Sequence, residues 1–218
     1  MKFIGDVHGL TEQYLRILAQ TEESTIQLGD MGFGFMGVDG LAGLSVKDRF
    51  IRGNHDDPAL CRQHPNYLGD FGYLEKEGIF FISGAYSIDK ARRVPGVSWW
   101  EEEELSQAQM QEALALYEHA KPELVISHDG PSMAALMMLG RWVNDPWSNS
   151  GQKLRHPSRT SQFLDQLYET HAPARWVFAH YHISRRCQID RTLFVCVDEL
   201  DCYVDHEPWA CAIQSERL

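Results

Sequence analysis

Asp6, His8, Asp30, Asn54, His128, His180 and His182 are the residues in this 218-residue chain whose types and setting suit metal chemistry. Each lies just beyond a short apolar run that ends in a small residue. Carboxylate oxygen, amide oxygen and imidazole nitrogen form a donor set for manganese, iron, zinc, cobalt or nickel. No cysteine joins it. Seven donors are too many for one tetrahedral ion and suit two divalent ions sharing a bridging carboxylate, as in two-metal hydrolytic centres. The charges agree. Asp6 and Asp30 carry two negative charges against four positive ones, and Asn54 adds a ligand without adding charge. The surplus favours an anionic phosphate, and ion-bound water is acidified towards neutral pH. An isolated Asp-x-His or His-x-His pair is weak evidence, and Gly53-Asn54-His55-Asp56 alone reads as a turn. The information is in the ordered series.

The elements that must position these residues follow from the same runs. Lys2–Gly5, Thr25–Gly29, Arg49–Gly53, Leu124–Ser127 and Trp176–Ala179 read as buried strands. Helical spacing covers roughly 10–20, 106–120, 131–139 and 158–170, with Ser106 and Gln109 at capping-box spacing. Strands alternating with helices predict an α/β fold, and in open α/β sheets ligands bind beyond the carboxyl ends of strands. The β-rich segments 79–83, 187–190 and 193–197 predict a second sheet or an extension of the first. The acid run Glu101–Glu104 reads as a solvated lead-in to a helix.

At these positions the chain resembles the calcineurin-like metallophosphoesterase superfamily. That family's series is D-x-H, G-D, G-N-H-D/E, a lone H and G-H-x-H. Here it reads Asp6-Val7-His8, Gly29-Asp30, Gly53-Asn54-His55-Asp56, His128 and Ala179-His180-Tyr181-His182. The resemblance implies a four-layer αββα sandwich: two mixed β-sheets face to face with helices outside. It implies one ion held by Asp6, His8, Asp30 and His182, and another by Asp30, Asn54, His128 and His180. Manganese is the first expectation, with iron, zinc, nickel, cobalt or magnesium as alternatives. It implies hydrolysis of phosphate mono- or diesters by an ion-bridging hydroxide, with His55 as the proton donor and Asp56 placed to orient it. Two departures stand out. Ala179 replaces the usual Gly, so the backbone there must be one that Ala tolerates. After Asp30, Phe33 and Gly34 stand where Ser/Thr protein phosphatases carry an orienting Asp and a phosphate-binding Arg, which weighs against that alternative activity. A non-catalytic scaffold is opposed by the complete donor set. A mononuclear iron oxygenase would leave Asp30, Asn54 and the extra histidines unexplained.

Candidate substrate contacts are Arg92 and Arg93, able to clamp phosphate, and Phe33, able to pack on a flat group. The segment 140–157, Arg185 and Arg186 are further candidates. The expected substrate is a small phosphoester, a nucleotide among the candidates. Thirty-one acids against twenty bases give a formal charge of −11, which opposes non-specific nucleic-acid or membrane-surface binding. The longest apolar stretch, Met133–Leu139, is far too short to span a membrane. Five cysteines without C-x-x-C spacing indicate neither a disulfide framework nor a zinc ribbon, and a reducing cytoplasm is the expected compartment. One domain over 1–218, without a leader peptide, is the length-based expectation.

Overall fold

A computed structural model describes residues 1–34, 41–139 and 158–205. The first sheet uses β1 (Lys2–Ile4), β2 (Thr25–Gln27), β3 (Asp48–Phe50) and β10 (Cys202–Val204), in the order β10-β1-β2-β3. β1, β2 and β3 are parallel, and β10 pairs antiparallel with β1. The second sheet uses β4 (Phe71–Leu74), β5 (Ile79–Ile82), β6 (Leu124–Ser127), β7 (Arg175–Phe178), β8 (Arg185–Ile189) and β9 (Thr192–Cys196). Its order is β4-β5-β6-β7-β9-β8. The four central strands are parallel and the two edges antiparallel.

Side-chain alternation along these strands builds three cores. Phe3, Ile26, Leu28 and Ile51 of the first sheet meet Ile79, Phe81, Ile126, Val177 and Val195 of the second, which forms the layer between the sheets. The alternate residues Phe80, Ile82, Val125, Trp176, Phe178 and Phe194 face the other way. They pack on α3 (Gln107–Ala120), α4 (Ser132–Leu139) and α5 (Arg159–Thr170). On the far side of the first sheet, Ile4 and Phe50 pack with Tyr14 of α1 (Thr11–Ala19) and Cys61 of α2 (Pro58–Gln63). Each fully buried Phe, Ile or Leu contributes roughly 1.5–3 kcal/mol. The result is the helix–sheet–sheet–helix sandwich expected from the motif series.

The helix starts follow their chemistry. Ser106 and Gln109 form the expected capping box, Ser158 accepts from the N–H of Ser161 at 2.9 Å, and Asp57 caps α2 ahead of Pro58. The acid run differs from expectation. Glu101–Glu103 forms a 3-10 turn, and Glu103 is buried, with Oε1 3.2 Å from the N–H of Ser87. Its carbonyl accepts from Arg52, which explains the inward turn. None of the helices among the described residues is long and apolar enough to cross a membrane.

Arg52 is fully buried at the root of the Asn54 loop, where β3 meets the second sheet. Its Nε donates to Asp70 at 2.9 Å, and its Nη1 donates to the Glu103 carbonyl at 2.8 Å. Asp70 also accepts from Tyr67, Arg62 and Gln109. Burial raises the Asp70 pKa, but Arg52 and its other donors more than offset this and hold it below the usual carboxylate value. A carboxylate whose pKa is depressed by folding stabilises in full above its unfolded pKa of about 4. That stability is lost as pH falls through the folded value. Arg52→Met is therefore expected to destabilise by about 2–3 kcal/mol at pH 7 and to flatten the rise in stability between pH 3 and 6. Urea unfolding across that range measures both effects.

Candidate metal centre

The candidate donors occupy the carboxyl ends of five parallel strands. Asp6 and His8 follow β1, Asp30 follows β2, and Asn54 and His55 follow β3. His128 follows β6, and His180 and His182 follow β7. The first sheet thus supplies the carboxylates and the amide, and the second supplies three imidazoles.

The donor atoms converge. Asp6, His8 and His182 form one group, Asp30, His128 and His180 a second, and His8, Asp30 and His55 a third, each with its donor atoms within 4.8 Å of one another. His8 Nε2 and His182 Nε2 are 2.9 Å apart, and His182 Nε2 lies 3.0 Å from Asp6 Oδ2. His128 Nε2 lies 3.4 Å from Asp30 Oδ1 and 3.2 Å from Asn54 Oδ1. Asp30 Oδ2 reaches towards His8 Nε2 at 3.9 Å and His55 Nε2 at 4.0 Å, so this carboxylate lies between the groups.

The backbone is bent to make this possible. His8, Asp30, His180 and His182 all have positive φ, at 47°, 56°, 67° and 49°. Left-handed backbone costs a non-glycine residue on the order of 1–2 kcal/mol, although Asn, Asp and His tolerate it best. Ala179 is outside that region, so Ala is admissible where relatives of this motif carry Gly.

Supporting contacts fix the donor orientations. His128 Nδ1 lies 2.7 Å from the Leu28 carbonyl, which sets the tautomer and leaves Nε2 facing the centre. The N–H of His55 donates to Asp30 Oδ1 at 2.7 Å, and the N–H of His180 donates to Asp6 Oδ1 at 3.3 Å. Gln27 spans the first two loops, donating to the carbonyls of Gly5 and Gly29 and accepting from the N–H of Gly29. Tyr181 donates to Asp129 at 2.6 Å, tying the His180–His182 loop to the His128 loop. Ser87 accepts from Asn54 Nδ2 at 3.1 Å and so directs Oδ1 inward. The motif series does not point to these residues. A Gln inside an otherwise buried β2 is the one available signal.

The electrostatics show a demand for positive charge. Burial opposes ionisation of Asp6, yet His182 and His8 hold its pKa below the usual carboxylate value. Asp30 is likewise held well below that value by His128, against burial. In return, against its own burial, His128 is pushed up to about 10 by Asp30, and His8 and His182 are raised. Burial lowers His180. Asp6 Oδ2 is buried and receives no well-directed hydrogen bond. Two buried carboxylates, one with an unsatisfied oxygen, facing four imidazoles and an amide oxygen are a set that can hold divalent ions.

Other expected roles are corrected. The Asp56 carboxylate does not orient His55. Its two oxygens accept backbone N–H bonds from Gly53 at 2.9 Å, Gly32 at 2.7 Å, Phe33 at 3.0 Å and Met31 at 3.2 Å. It therefore clamps the Asp30 loop to the Asn54 loop, while burial raises its pKa against those donors. Phe33 does not face a substrate. It is 6% exposed and stacks on Phe50 with ring centroids 5.2 Å apart, filling the α1–α2 side of the core. Arg93 reaches His55, with Nη2 2.6 Å from Nε2 and Nη1 3.2 Å from Nδ1. Arg92 is exposed. Arg185 donates to the Met138 carbonyl, and Arg186 lies over the Tyr203 ring. The segment 140–157 and Phe35 lie outside the described residues.

No protein-family model matches the chain, and no curated protein matches it in sequence. Solved structures match it in shape. The structure of TT1561 from Thermus thermophilus is 11% identical, with a TM-score of 0.51, covering 91% of this chain and 89% of that one. Phosphopantetheinyl hydrolase from Mycobacterium tuberculosis is 15% identical, with a TM-score of 0.47 and the same coverages. The likeness is one of fold: a sandwich of two mixed sheets flanked by helices, shared with TT1561.

Proposed function

We propose that the protein hydrolyses small phosphoesters at a two-ion centre. The observation that carries this reading is the pair of adjoining three-donor groups, Asp6–His8–His182 and Asp30–His128–His180, with Asp30 between them. Asp6, His8, Asp30 and His182 would hold one divalent ion, and Asp30, Asn54, His128 and His180 the other, with manganese the first candidate. Such a pair supplies Lewis acidity and an activated water.

The chain's own residues do the rest. Asp30, lying between the donor groups, would serve as a ligand common to both ions. The Leu28 carbonyl and Ser87 keep His128 and Asn54 facing inward. His55 shares a three-donor group with His8 and Asp30, but both of its ring nitrogens face the Arg93 guanidinium, so it is assigned to the substrate side rather than to an ion. Burial, followed by the Arg93 cation and the nearby imidazoles, outweighs the Asp30 charge and pushes its pKa down to about 4. At neutral pH it is an uncharged imidazole that can hydrogen-bond a departing oxygen. In that state it would serve as a hydrogen-bond donor rather than as the expected proton donor, a role worth about 10²–10³-fold.

The test uses metal-free protein reloaded separately with manganese, nickel, zinc or magnesium, and compares an aryl phosphate monoester with its diester. Metal-dependent turnover with two ions per chain is expected. His55→Ala should lose about a hundredfold in kcat while keeping both ions. One ion or none per chain with no turnover would overturn the reading.

A further inference from the structure

The segment between β5 and α3 touches the centre at two residues, Ser87 and Arg93. It starts on the Asn54 side, where Ser87 meets the amide, and turns through Lys90–Arg92. Arg93 then returns to the ring of His55. The guanidinium is held from behind. Its Nε donates to Asp89 Oδ1 at 2.7 Å, and its Nη1 donates to the Ser98 carbonyl at 3.2 Å. The Ser98 carbonyl sits in a tight turn, in which the N–H groups of Val97, Ser98 and Trp99 all point at the Val94 carbonyl. The fork is therefore preorganised, with Nη2 against His55 Nε2, the ring atom that lies 4.0 Å from Asp30 Oδ2. A guanidinium stays charged at any working pH and matches phosphate geometry.

The local charge is unusual for this chain. Against a total of −11, Lys90, Arg92 and Arg93 place three cations within four residues, with Asp89 as the adjacent acid. Lys90 is kept on this loop by the Tyr86 ring, 4.7 Å from the centroid. The proposed ion pair already meets the charge of one phosphoryl group. If His55 meets the departing oxygen, as proposed above, a fixed cation against its ring suits a substrate whose leaving group is itself anionic.

Building on the two-ion hydrolytic reading, we propose that the substrate class is a small phosphoanhydride. Its scissile phosphoryl group lies at the centre, and the adjacent phosphate is gripped by Arg93. In this hydrolysis a water oxygen bonds to phosphorus and the bridging P–O bond breaks. The electron pair remains on the departing phosphate. One water is consumed, and a proton passes to solvent near neutral pH. Arg93 acts here as a specificity-determining residue.

The test compares tripolyphosphate with p-nitrophenyl phosphate as substrates of the manganese-loaded protein. It also measures imidodiphosphate binding by calorimetry. The variants are Arg93→Gln, Arg93→Lys and, as a distant loss of one positive charge, Arg16→Gln on exposed α1. Arg93→Gln is expected to cut kcat/KM for tripolyphosphate by at least about thirtyfold and imidodiphosphate affinity by a similar factor. Because Arg93 also touches His55, the aryl ester should lose activity too, but at least about tenfold less than tripolyphosphate, and Arg93→Lys should recover part of both losses. Equal losses on the two substrates, or unchanged imidodiphosphate affinity, would overturn the proposal. Failure of the unaltered protein to hydrolyse either substrate would instead remove the two-ion hydrolytic reading, and the calorimetry would still report on the Arg93 cluster.

Discussion

Asp30→Asn is expected to lower metal-dependent turnover by about a thousandfold or more and to remove at least one ion per chain. The carboxylate lies between both donor groups, with Oδ1 towards His128 and Oδ2 towards His8 and His55. Its pKa is held well below the ordinary value, so it is anionic at any working pH. Asn keeps the shape and an oxygen that can accept the His55 N–H bond, but it removes the charge common to the two ion positions. Losing several kcal/mol of charge stabilisation, at tenfold per 1.36 kcal/mol, gives the expected magnitude. Elemental analysis of the purified variant, single-turnover kinetics and an unchanged far-ultraviolet spectrum together make the measurement. Two ions retained per chain with turnover within tenfold of the unaltered protein would sink the assignment of Asp30 as the shared ligand.

Gly53→Ala should produce a comparable loss for a steric reason. A Cβ at this position would lie 2.1 Å from Asp30 Oδ1, 2.5 Å from the Asp30 nitrogen and 2.6 Å from His128 Nε2. Two of those atoms are candidate donors and the third is backbone, so no flexible side-chain tip is available to give way. Overpacking of this sort costs about 1–3 kcal/mol of stability. A displacement of about 1 Å at a reacting centre costs about a hundredfold in rate. The paired control is Gly43→Ala, where a Cβ meets nothing within 4 Å and stability should hold or rise by a few tenths of a kcal/mol. Thermal melts and kcat on both variants separate a local blockade from a general intolerance of alanine. Near-normal kcat in Gly53→Ala would mean that the Asp30 and His128 donors do not act at this point.

The donors and the α/β alternation are legible in the sequence because each donor sits one to four residues past a short apolar run. That spacing survives folding, since a parallel strand delivers its carboxyl end to one edge of the sheet. The central strands and the four longer helices fall where periodicity places them. β4, β10 and α2 escape a sequence reading because Phe71–Leu74, Cys202–Val204 and Pro58–Gln63 are too short to show a period. The residues whose roles are corrected share a different cause. Asp56 stands next to His55 in sequence, but its carboxylate turns to the backbone N–H groups of Met31, Gly32, Phe33 and Gly53. Phe33 follows Asp30 by three residues, yet the clamp on its own N–H turns its ring to Phe50. Glu103 reads as a surface acid until Arg52, fifty-one residues away, is seen binding its carbonyl. In each case the deciding partner is distant in sequence, and no local pattern encodes it.

His8 and His182 bring their ring nitrogens within 2.9 Å across 174 positions of chain. Closing a loop of that length has to precede any contact between them, and the first sheet alone holds no imidazole from β6 or β7. A chain that ends before β6 holds Asp6, His8, Asp30 and Asn54 but none of the three imidazoles that the second sheet supplies. The proposed centre is therefore complete only when the two sheets have docked.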